Sequence, residues 1–245
     1  MFRIDFVYSI AIALNFAFSC VALAEEPETK NAVPSSTPSV NADSTSESSD
    51  DESSFTPLFN GHDLSNWVGA VASYEIVDGA IQCRRGKGGN LLTAEQYDNF
   101  IVRLEFRLSP GGNNGLAIRA PGPNTVPAYD GIEVQVLDDT ADKYATLESY
   151  QYNGSAYGLK AAERGYLRPV GAWNEEELIV DGDRIAVRLN GHLILDADLA
   201  KLRDAPIDGK EHPGTFRTTG HFGFCGHSDP VAFRNIRIKQ IPDHR

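Results

Sequence analysis

Phe100-Ile-Val-Arg-Leu-Glu-Phe-Arg-Leu108 decides the fold class of this chain. Every second residue from Phe100 to Leu108 is apolar, and the residues between them include arginine and glutamate. A period of two is typical of a β-strand that packs one face on a core and turns the other to water. The stretch therefore predicts an amphipathic strand in an antiparallel sheet.

Turn signals recur on both sides of this strand. Asn-Gly or Asp-Gly dipeptides, which favour tight turns, stand at 60–61, 78–79, 181–182 and 190–191. The other predicted strands are Ser73–Val77, Ala80–Arg84, Glu177–Val180, Ile185–Leu189, His192–Leu195, His221–Phe224 and Val231–Lys239. Short helical turns are predicted at Glu95–Tyr97 and Leu199–Arg203. Many short strands separated by frequent turns predict an all-β sandwich or jelly roll.

Residues 1–24 are predicted to be an export signal. Arg3 precedes the apolar run Phe6–Ala24, and Ala22-Leu23-Ala24 fits the small-x-small pattern that signal peptidase cleaves. The alternative is an uncleaved membrane anchor, because the run approaches the length of a membrane span. Export predicts a periplasmic, cell-surface or secreted protein, and only the uncleaved form would attach the chain to a membrane.

Residues 25–54 are predicted to be a disordered acidic linker, and residues 55–241 to be the folded domain. The linker is rich in Ser, Thr and Pro and holds eight acidic residues against one lysine. Such a composition buries too little apolar surface to offset the entropy of ordering. The domain shows no basic stripe, which argues against a nucleic-acid partner, and no feature indicates a protein partner.

Only Cys83 and Cys225 remain after cleavage at Ala24. In an oxidising compartment they could form a disulfide, or they could be two buried thiols, and the sequence leaves both alternatives open. Two cysteines without a Cys-x-x-Cys spacing do not predict a zinc site.

The stretch Tyr129-Asp-Gly-Ile-Glu-Val-Gln-Val-Leu-Asp-Asp139 is predicted to be a strand with a polar face. Glu133 and Gln135 share that face, and Asp138 would join them only through a β-bulge near Leu137. Neighbouring carboxylates can divide acid and base roles, because each disfavours ionisation of the other. The alternative is a solvated face without a function. The Glu-x-Gln-x-x-Asp spacing partly resembles the Glu-x-Asp-x-x-Glu strand of laminarinase-type β-glucanases.

A glycine-rich loop and the strand after it contain two more candidates. Asn114, within Gly111-Gly-Asn-Asn-Gly115, could bond a ligand hydroxyl or cap its own turn. Arg119 could bind Glu133, polarise a substrate oxygen or form a structural ion pair.

Two aromatic segments contain the last candidates. Tyr157 lies among small residues in Tyr150–Gly158 and could stack on a sugar ring or pack as an ordinary strand residue. His227 is predicted in the loop after the strand His221–Phe224 and is a candidate acid or base near neutral pH. A loop histidine is, however, more often a bystander than a catalyst.

These segments follow one another in the order found in a known protein family. The ordered set is Phe55-Thr-Pro-Leu-Phe-Asn-Gly-His-Asp-Leu-Ser-Asn-Trp67, Gly112-Asn-Asn-Gly115 with Arg119, Glu133-Val-Gln-Val-Leu-Asp138, Gly154-Ser-Ala-Tyr-Gly158, Trp173-Asn174, Leu189-Asn-Gly191 and Phe233-Arg-Asn-Ile-Arg-Ile238. On these residues the chain resembles the 3-keto-disaccharide hydrolase domain over residues 55–241. Asn114 stands where a serine is common in that family.

The resemblance implies a concanavalin A-like jelly-roll β-sandwich, export, and cleavage of 3-keto-glycosides, which are carbohydrate substrates. A ketone at C3 acidifies the proton at C2. A base could therefore remove that proton, the enolate could expel the oxygen at C1, and water could add back. Direct hydrolysis without elimination is the alternative route.

This chemistry assigns roles to residues of the matched motifs. Glu133 or Asp138 is the candidate base, and His227 is the candidate acid at the leaving group. The keto oxygen could be held by Arg119, by Gln135 or by a bound divalent cation. Together the candidate site residues are Glu133, Asp138 and His227 for catalysis, and Asn114, Arg119, Gln135 and Tyr157 for substrate binding.

Two other function classes are compatible with the sequence. A non-catalytic carbohydrate-binding module shares the lectin-like sandwich but does not need Glu133 and Asp138 near Arg119. A structural cell-surface protein tethered by the acidic linker would have no concave polar groove. The position of the carboxylates relative to a groove distinguishes these classes from an enzyme.

Overall fold

The computed structural model describes residues 52–242, so the predicted signal peptide and all but the end of the predicted linker lie outside the described residues. The strands are β1 (Thr56–Pro57), β2 (Trp67–Gly69), β3 (Tyr74–Val77), β4 (Ala80–Cys83), β5 (Gly88–Tyr97), β6 (Phe100–Arg107), β7 (Asn113–Ala120), β8 (Ile132–Leu137), β9 (Trp173–Asp181), β10 (Arg184–Leu189), β11 (His192–Asp198), β12 (Gly220–His227) and β13 (Ala232–Gln240). The short α-helices are α1 (Pro127–Asp130) and α2 (Leu199–Leu202). Single 3-10 turns lie at Val71–Ser73, Asp142–Tyr144, Ser149–Gln151 and Pro213–Phe216. None of the helices within 52–242 is long and apolar enough to cross a membrane.

The strands form two antiparallel sheets. One sheet has the order β11-β10-β9-β6-β13-β4-β3, with β1 paired to β13, and the other has the order β2-β5-β12-β7-β8. Strands distant in sequence are neighbours in both sheets, as in a jelly roll. The predicted all-β, concanavalin A-like sandwich is confirmed.

The core lies between the inner faces of the two sheets. Alternate residues of β6, from Phe100 to Phe106, are buried, as the period of two predicts. Phe224 of β12 stacks on Phe233 of β13 with ring centroids 3.9 Å apart, and Trp67 of β2 stacks on Phe224 at 5.3 Å. These three rings join the two sheets through a contact that combines apolar burial with favourable ring geometry.

Two details of the predicted secondary structure are wrong. Glu95–Tyr97 is the end of strand β5 rather than a helical turn, since Gln96 and Tyr97 pair with β12. His227 is the last residue of β12 rather than a loop residue, and it pairs with Gly88. In both cases pairing with a neighbouring strand extends a segment whose local pattern alone is weak.

Cys83 and Cys225 are both free, buried thiols, which decides between the two alternatives for the cysteines. Cys83 belongs to the core between the sheets. Cys225 instead packs with Leu92, Ala117 and Ala120 in a separate cluster, because it follows Phe224 and faces the other side of β12.

Candidate active site

A pocket of about 250 Å³ lies on the outer face of the five-stranded sheet, at the edge formed by β7 and β8. Its floor is the polar face of β8, and its walls are the segments before and after this strand. The lining residues are Asn113, Val126, Ala128, Tyr129, Glu133, Gln135, Leu137, Tyr144, Leu147, Gln151, Tyr157 and His227. Four of the seven candidate residues, Glu133, Gln135, Tyr157 and His227, therefore lie together.

Glu133 lies across the neighbouring strand over Gly115. A Cβ atom on Gly115 would stand 2.1 Å from Oε1 of Glu133 and 2.6 Å from its Cγ, far inside van der Waals contact. The carboxyl group points onward to His227, whose Nε2 lies 3.7 Å from Oε1. Glu133 is only 6% exposed, whereas half of the His227 side chain is in contact with solvent. Glycine at 115 thus provides the space in which the carboxylate meets the imidazole.

The Glu133 carboxylate affects the protonation of two neighbouring side chains, His227 and Cys225. The Glu133 carboxylate, 3.7 Å from the imidazole, raises the pKa of His227 above its ordinary value and outweighs the opposing effect of burial. Burial, with the Glu133 charge as a second cause, raises the pKa of the Cys225 thiol well above its ordinary value. Cys225 is therefore a neutral, buried neighbour of the carboxylate rather than a nucleophile.

Gln135 forms a second polar group on the same floor. Its Nε2 donates a 2.7 Å hydrogen bond to Oδ1 of Asn113 on β7. A primary amide has two N–H donors, so the second hydrogen of Gln135 and the amide of Asn113 can still bind an oxygen of a ligand. Asn113 was not among the predicted site residues, although it shares a face of β7 with Gly115.

Tyr157 reaches the pocket because its segment lies along the edge strand. The Tyr157 amide donates to the Glu133 carbonyl at 2.9 Å, and the Gln135 amide donates to Ser155. The Tyr157 hydroxyl accepts a 3.0 Å hydrogen bond from Nε2 of Gln151. These contacts fix the wall beside β8, so the prediction that Tyr157 could contact a sugar is consistent with its position.

Asp138, a predicted catalytic residue, does not join Glu133, because the bulge near Leu137 that this would require is absent. The pairing of β7 with β8 runs without a register shift to Asn113 and Leu137. Asp138 instead accepts hydrogen bonds from the Gly111 amide at 2.7 Å and from the amide and hydroxyl of Thr140. Burial alone would raise the pKa of Asp138, but these hydrogen bonds outweigh it and lower the pKa. Asp138 is a buried turn residue.

Arg119 does not line the pocket either. Its backbone φ is +51°, and β12 shifts register opposite it, between His221 and Gly223. This irregularity breaks the alternation that would otherwise place Arg119 on the face of Glu133. The guanidinium is buried at the end of the sheet, where it donates to the carbonyls of Asp98, Gly182 and Arg217 and to the side chain of Asn99.

Asn114 also differs from the prediction. It is fully buried and alternates with Asn113, so its side chain faces the interior while Asn113 faces the pocket. Its Oδ1 accepts a 2.9 Å hydrogen bond from the Gly115 amide. Asn113, rather than Asn114, therefore lines the pocket.

Most of the lining residues that were not predicted from the sequence lie in the loops that close the pocket. These residues are Val126, Ala128, Tyr129, Tyr144, Leu147 and Gln151, with Asn113 and Leu137 from the strands. Tyr129 begins the stretch that contains Glu133, and Pro127 at the first position of α1 was a local signal for the turn that orients it. Tyr144 and Leu147 carried no signal, because their segment reaches the pocket only through tertiary contacts.

The sequence analysis allowed for a bound divalent cation, but the described part of the chain has no cluster of metal-ligating side chains. Residues 52–242 contain no group of three or more His, Cys, Asp or Glu side chains that could hold a metal ion. Glu133 and His227 offer two protein ligands, so a cation bound there would take its other ligands from substrate or water.

Comparisons with known proteins agree with this architecture. A 3-keto-disaccharide hydrolase of Bacteroides thetaiotaomicron is 26% identical over 231 residues, which cover 78% of this chain and 80% of that protein. The crystal structure of a candidate glycosyl hydrolase from Parabacteroides distasonis matches with a TM-score of 0.68 and 27% identity, over 76% of this chain and 99% of that one. A Bacillus subtilis protein with a galectin-like fold matches with a TM-score of 0.50 and 15% identity, over 78% and 96% of the two chains, and shows the fold alone.

These relatives support a hydrolase that acts on carbohydrates. The family model described as the 3-keto-alpha-glucoside-1,2-lyase-like domain matches residues 54–239, which span nearly all of the described sandwich. The chain belongs to the 3-keto-alpha-glucoside-1,2-lyase-like domain family.

Proposed function

We propose that this protein cleaves the glycosidic bond of 3-keto-glycosides by eliminating the aglycone and then adding water. One observation carries the proposal: a buried carboxylate, Glu133, lies over Gly115 and 3.7 Å from the His227 imidazole in a pocket on the sandwich face. The resemblance of the chain to a 3-keto-disaccharide hydrolase supports the substrate class.

Glu133 is the proposed base that removes the proton from C2 of the 3-keto sugar. The reaction needs an ionised carboxylate in a site with little water, where a base is more reactive. The His227 imidazole, whose Nε2 lies 3.7 Å from Oε1 of Glu133, would attract the carboxylate by opposite charge when the imidazole is protonated. We therefore propose that His227 is the charge partner of the base Glu133, and not the proton donor to the leaving group.

Gln135 and Asn113 are the proposed donors to the keto oxygen. Removal of the C2 proton places negative charge on that oxygen, and preorganised N–H donors stabilise such a charge. The hydrogen bond between the two amides holds both of them on the pocket floor before substrate binds. Tyr157, on the adjoining wall, is the proposed contact for the sugar ring.

A non-catalytic carbohydrate-binding module is the rival function. Stacking aromatic residues and amides would suffice for such a module, and it would not need a buried carboxylate beside an imidazole. The burial of a carboxyl group on the pocket floor, in contact with an imidazole, therefore favours an enzyme.

Substitution of Glu133 tests the proposal. Glu133→Gln keeps the size of the side chain and removes the base, so we expect kcat on a 3-keto-glucoside to fall at least ~10²-fold. Asp138→Asn is the matched control, since Asp138 directly follows the strand that contains Glu133 but lies outside the pocket, and it should keep activity within about threefold in the folded protein. Full activity of Glu133→Gln would refute the assignment.

We also propose that the protein is exported. The support is the sequence of residues 1–24 alone, with its apolar run and its small residues at 22 and 24. Amino-terminal sequencing of the mature protein should give Glu25 as the first residue. A mature protein that still begins at Met1 would contradict cleavage.

A further inference from the structure

The roles proposed above do not include a residue that protonates the departing glycosidic oxygen. The oxygen that departs from C1 must receive a proton when the aglycone is an ordinary alcohol, because an alkoxide is a poor leaving group. His227 is paired with Glu133, and Asp138 and Arg119 lie outside the pocket. The donor must therefore be sought among the other residues that line the pocket.

Tyr129 lines the pocket at the end of α1, just before the strand that contains Glu133. Its hydroxyl oxygen accepts a 2.8 Å hydrogen bond from Nζ of Lys210. An ammonium group has donors and no acceptor, so the tyrosine oxygen is the acceptor of this bond. The hydroxyl hydrogen of Tyr129 consequently stays available for another partner.

Lys210 is held where it can support this role. The Asp208 carboxylate accepts from the Lys210 amide at 3.0 Å and lies 3.1 Å from Nε2 of His212, in a buried pair. Nδ1 of His212 lies 2.9 Å from the Ala128 carbonyl, and its ring lies 5.0 Å from the Tyr129 ring. The turn with Lys210 and the helix with Tyr129 are thereby fixed to each other.

A glycine completes this packing. A Cβ atom on Gly158 would stand 2.6 Å from Oδ2 of Asp208 and 2.6 Å from Cε1 of His212. The residue after Tyr157 thus lies directly against the Asp208–His212 pair. Tyr129 and Tyr157, two of the three tyrosines that line the pocket, are thus both next to this buried pair.

We propose that Tyr129 is the proton donor to the departing glycosidic oxygen, with Lys210 as the positioning residue that stabilises the tyrosinate. This assignment rests on the proposed function. In the elimination, Glu133 takes the C2 proton, the C1–O bond breaks, and the Tyr129 hydroxyl protonates the leaving oxygen to give a free alcohol. In the hydration, the tyrosinate takes a proton from the water that attacks C1, and Glu133 returns its proton to C2. Both residues regain their initial states, and one water is consumed.

Two substrates with different leaving groups test the assignment. A methyl 3-keto-glucoside needs protonation of its leaving oxygen, whereas a 4-nitrophenyl 3-keto-glucoside releases a stable phenolate without it. We expect Tyr129→Phe to lower kcat/KM on the methyl glycoside by ~10²- to 10³-fold and on the nitrophenyl glycoside by less than about fivefold. Tyr166→Phe, whose ring packs on His192, is the control and should change neither value.

Lys210 variants give a second readout. We expect Lys210→Met to lower kcat/KM on the methyl glycoside by roughly tenfold, with little change on the nitrophenyl glycoside, and Lys210→Arg to restore most of the loss. A purely structural role for either residue would lower both activities equally.

Three outcomes would overturn the assignment. Equal losses of Tyr129→Phe on both substrates, with the variant folded by circular dichroism, would show that Tyr129 is not the proton donor. Unchanged activity on the methyl glycoside would do the same. A wild-type protein that releases neither aglycone would refute the proposed function itself, and the assignment with it.

Discussion

At the scale of single residues, the position of the Glu133 side chain depends on the absence of a side chain at Gly115. The absence of a side chain at 115 is what lets the carboxylate lie flat against β7 and reach His227. Glu133 is buried by its neighbours rather than by depth in the core, so a change at position 115 acts first on the carboxylate. The backbone at Gly115 is ordinary strand, and the need for glycine there is a need for space.

Gly115→Ala should therefore displace Glu133. The new methyl group occupies the place of Oε1, so the carboxylate must leave its contact with His227, and a displacement of about 1 Å can lower activity on the order of 10²-fold. Activity on a 3-keto-glucoside and the melting temperature check this prediction. Gly122→Ala is the control, since its Cβ would meet no atom within 4 Å. Equal activity of both variants would contradict the geometry described for Glu133.

At the scale of elements, the irregular pairing of β7 with β12 separates the scaffold from the site. The register shift between His221 and Gly223 coincides with the positive φ of Arg119. It sends the arginine to the end of the sheet, where its guanidinium joins the loops around Asp98, Gly182 and Arg217. Arg119 is thus a structural residue that joins three loops, although it lies on a strand that borders the pocket.

Arg119→Ala should lower stability and leave the chemistry intact. The substitution leaves three partly buried carbonyl groups without this donor, which we expect to reduce the free energy of unfolding by about 1–3 kcal/mol. Urea denaturation measures the loss, and kcat/KM per folded molecule should stay within about threefold of wild type. A large loss of kcat in fully folded protein would instead place Arg119 in the reaction.

The sequence predicted the elements better than the side-chain positions. Alternation identified β6 and the polar face of β8, because one face of each strand packs on the core and the pattern records it. Alternation could not predict where the Arg119 side chain lies, because the register shift beside it depends on the partner strand β12. Tyr144 and Gln151 were missed for a related reason: their loops reach the pocket through contacts between distant segments.

At the scale of the whole molecule, the two sheets have different tasks. The five-stranded sheet carries the pocket on its outer face, while the larger sheet supports it through the shared core. One residue of the larger sheet, Glu176 of β9, is buried within this core, and neither carboxyl oxygen has a hydrogen-bond partner among the described residues. Burial raises its pKa to about 8.

This carboxyl group should make stability depend on pH. Its pKa rises from 4.5 to about 8 on folding, so the folded state binds the proton more tightly and loses stability as the pH rises between these values. We expect this group to remove on the order of 1 kcal/mol per pH unit. Glu176→Gln should flatten the dependence, as measured by urea denaturation at pH 5.5 and 7.5.

The neighbouring Glu175 is the matched control for that measurement. It lies on the same strand, is largely exposed, and pairs with Arg168 at 2.9 Å. Glu175→Gln should leave the slope of stability against pH unchanged. A slope that Glu176→Gln does not alter would mean that the buried carboxyl group is not the cause.

The central claim is that Glu133 removes the C2 proton of a 3-keto-glycoside, and turnover in deuterated water tests it most directly. The released sugar is analysed by mass spectrometry at short times, with the free 3-keto sugar incubated under the same conditions to measure exchange without the enzyme. Elimination followed by hydration predicts deuterium at C2 where the Glu133 proton exchanges with solvent before its return, or an unsaturated product without hydrogen at C2 where release precedes hydration. It also predicts a lower kcat/KM on a 3-keto-glycoside that carries deuterium at C2 than on the unlabelled one. A released sugar that keeps its original C2 hydrogen, together with equal kcat/KM for the glycosides with hydrogen and with deuterium at C2, would contradict proton abstraction and favour direct hydrolysis.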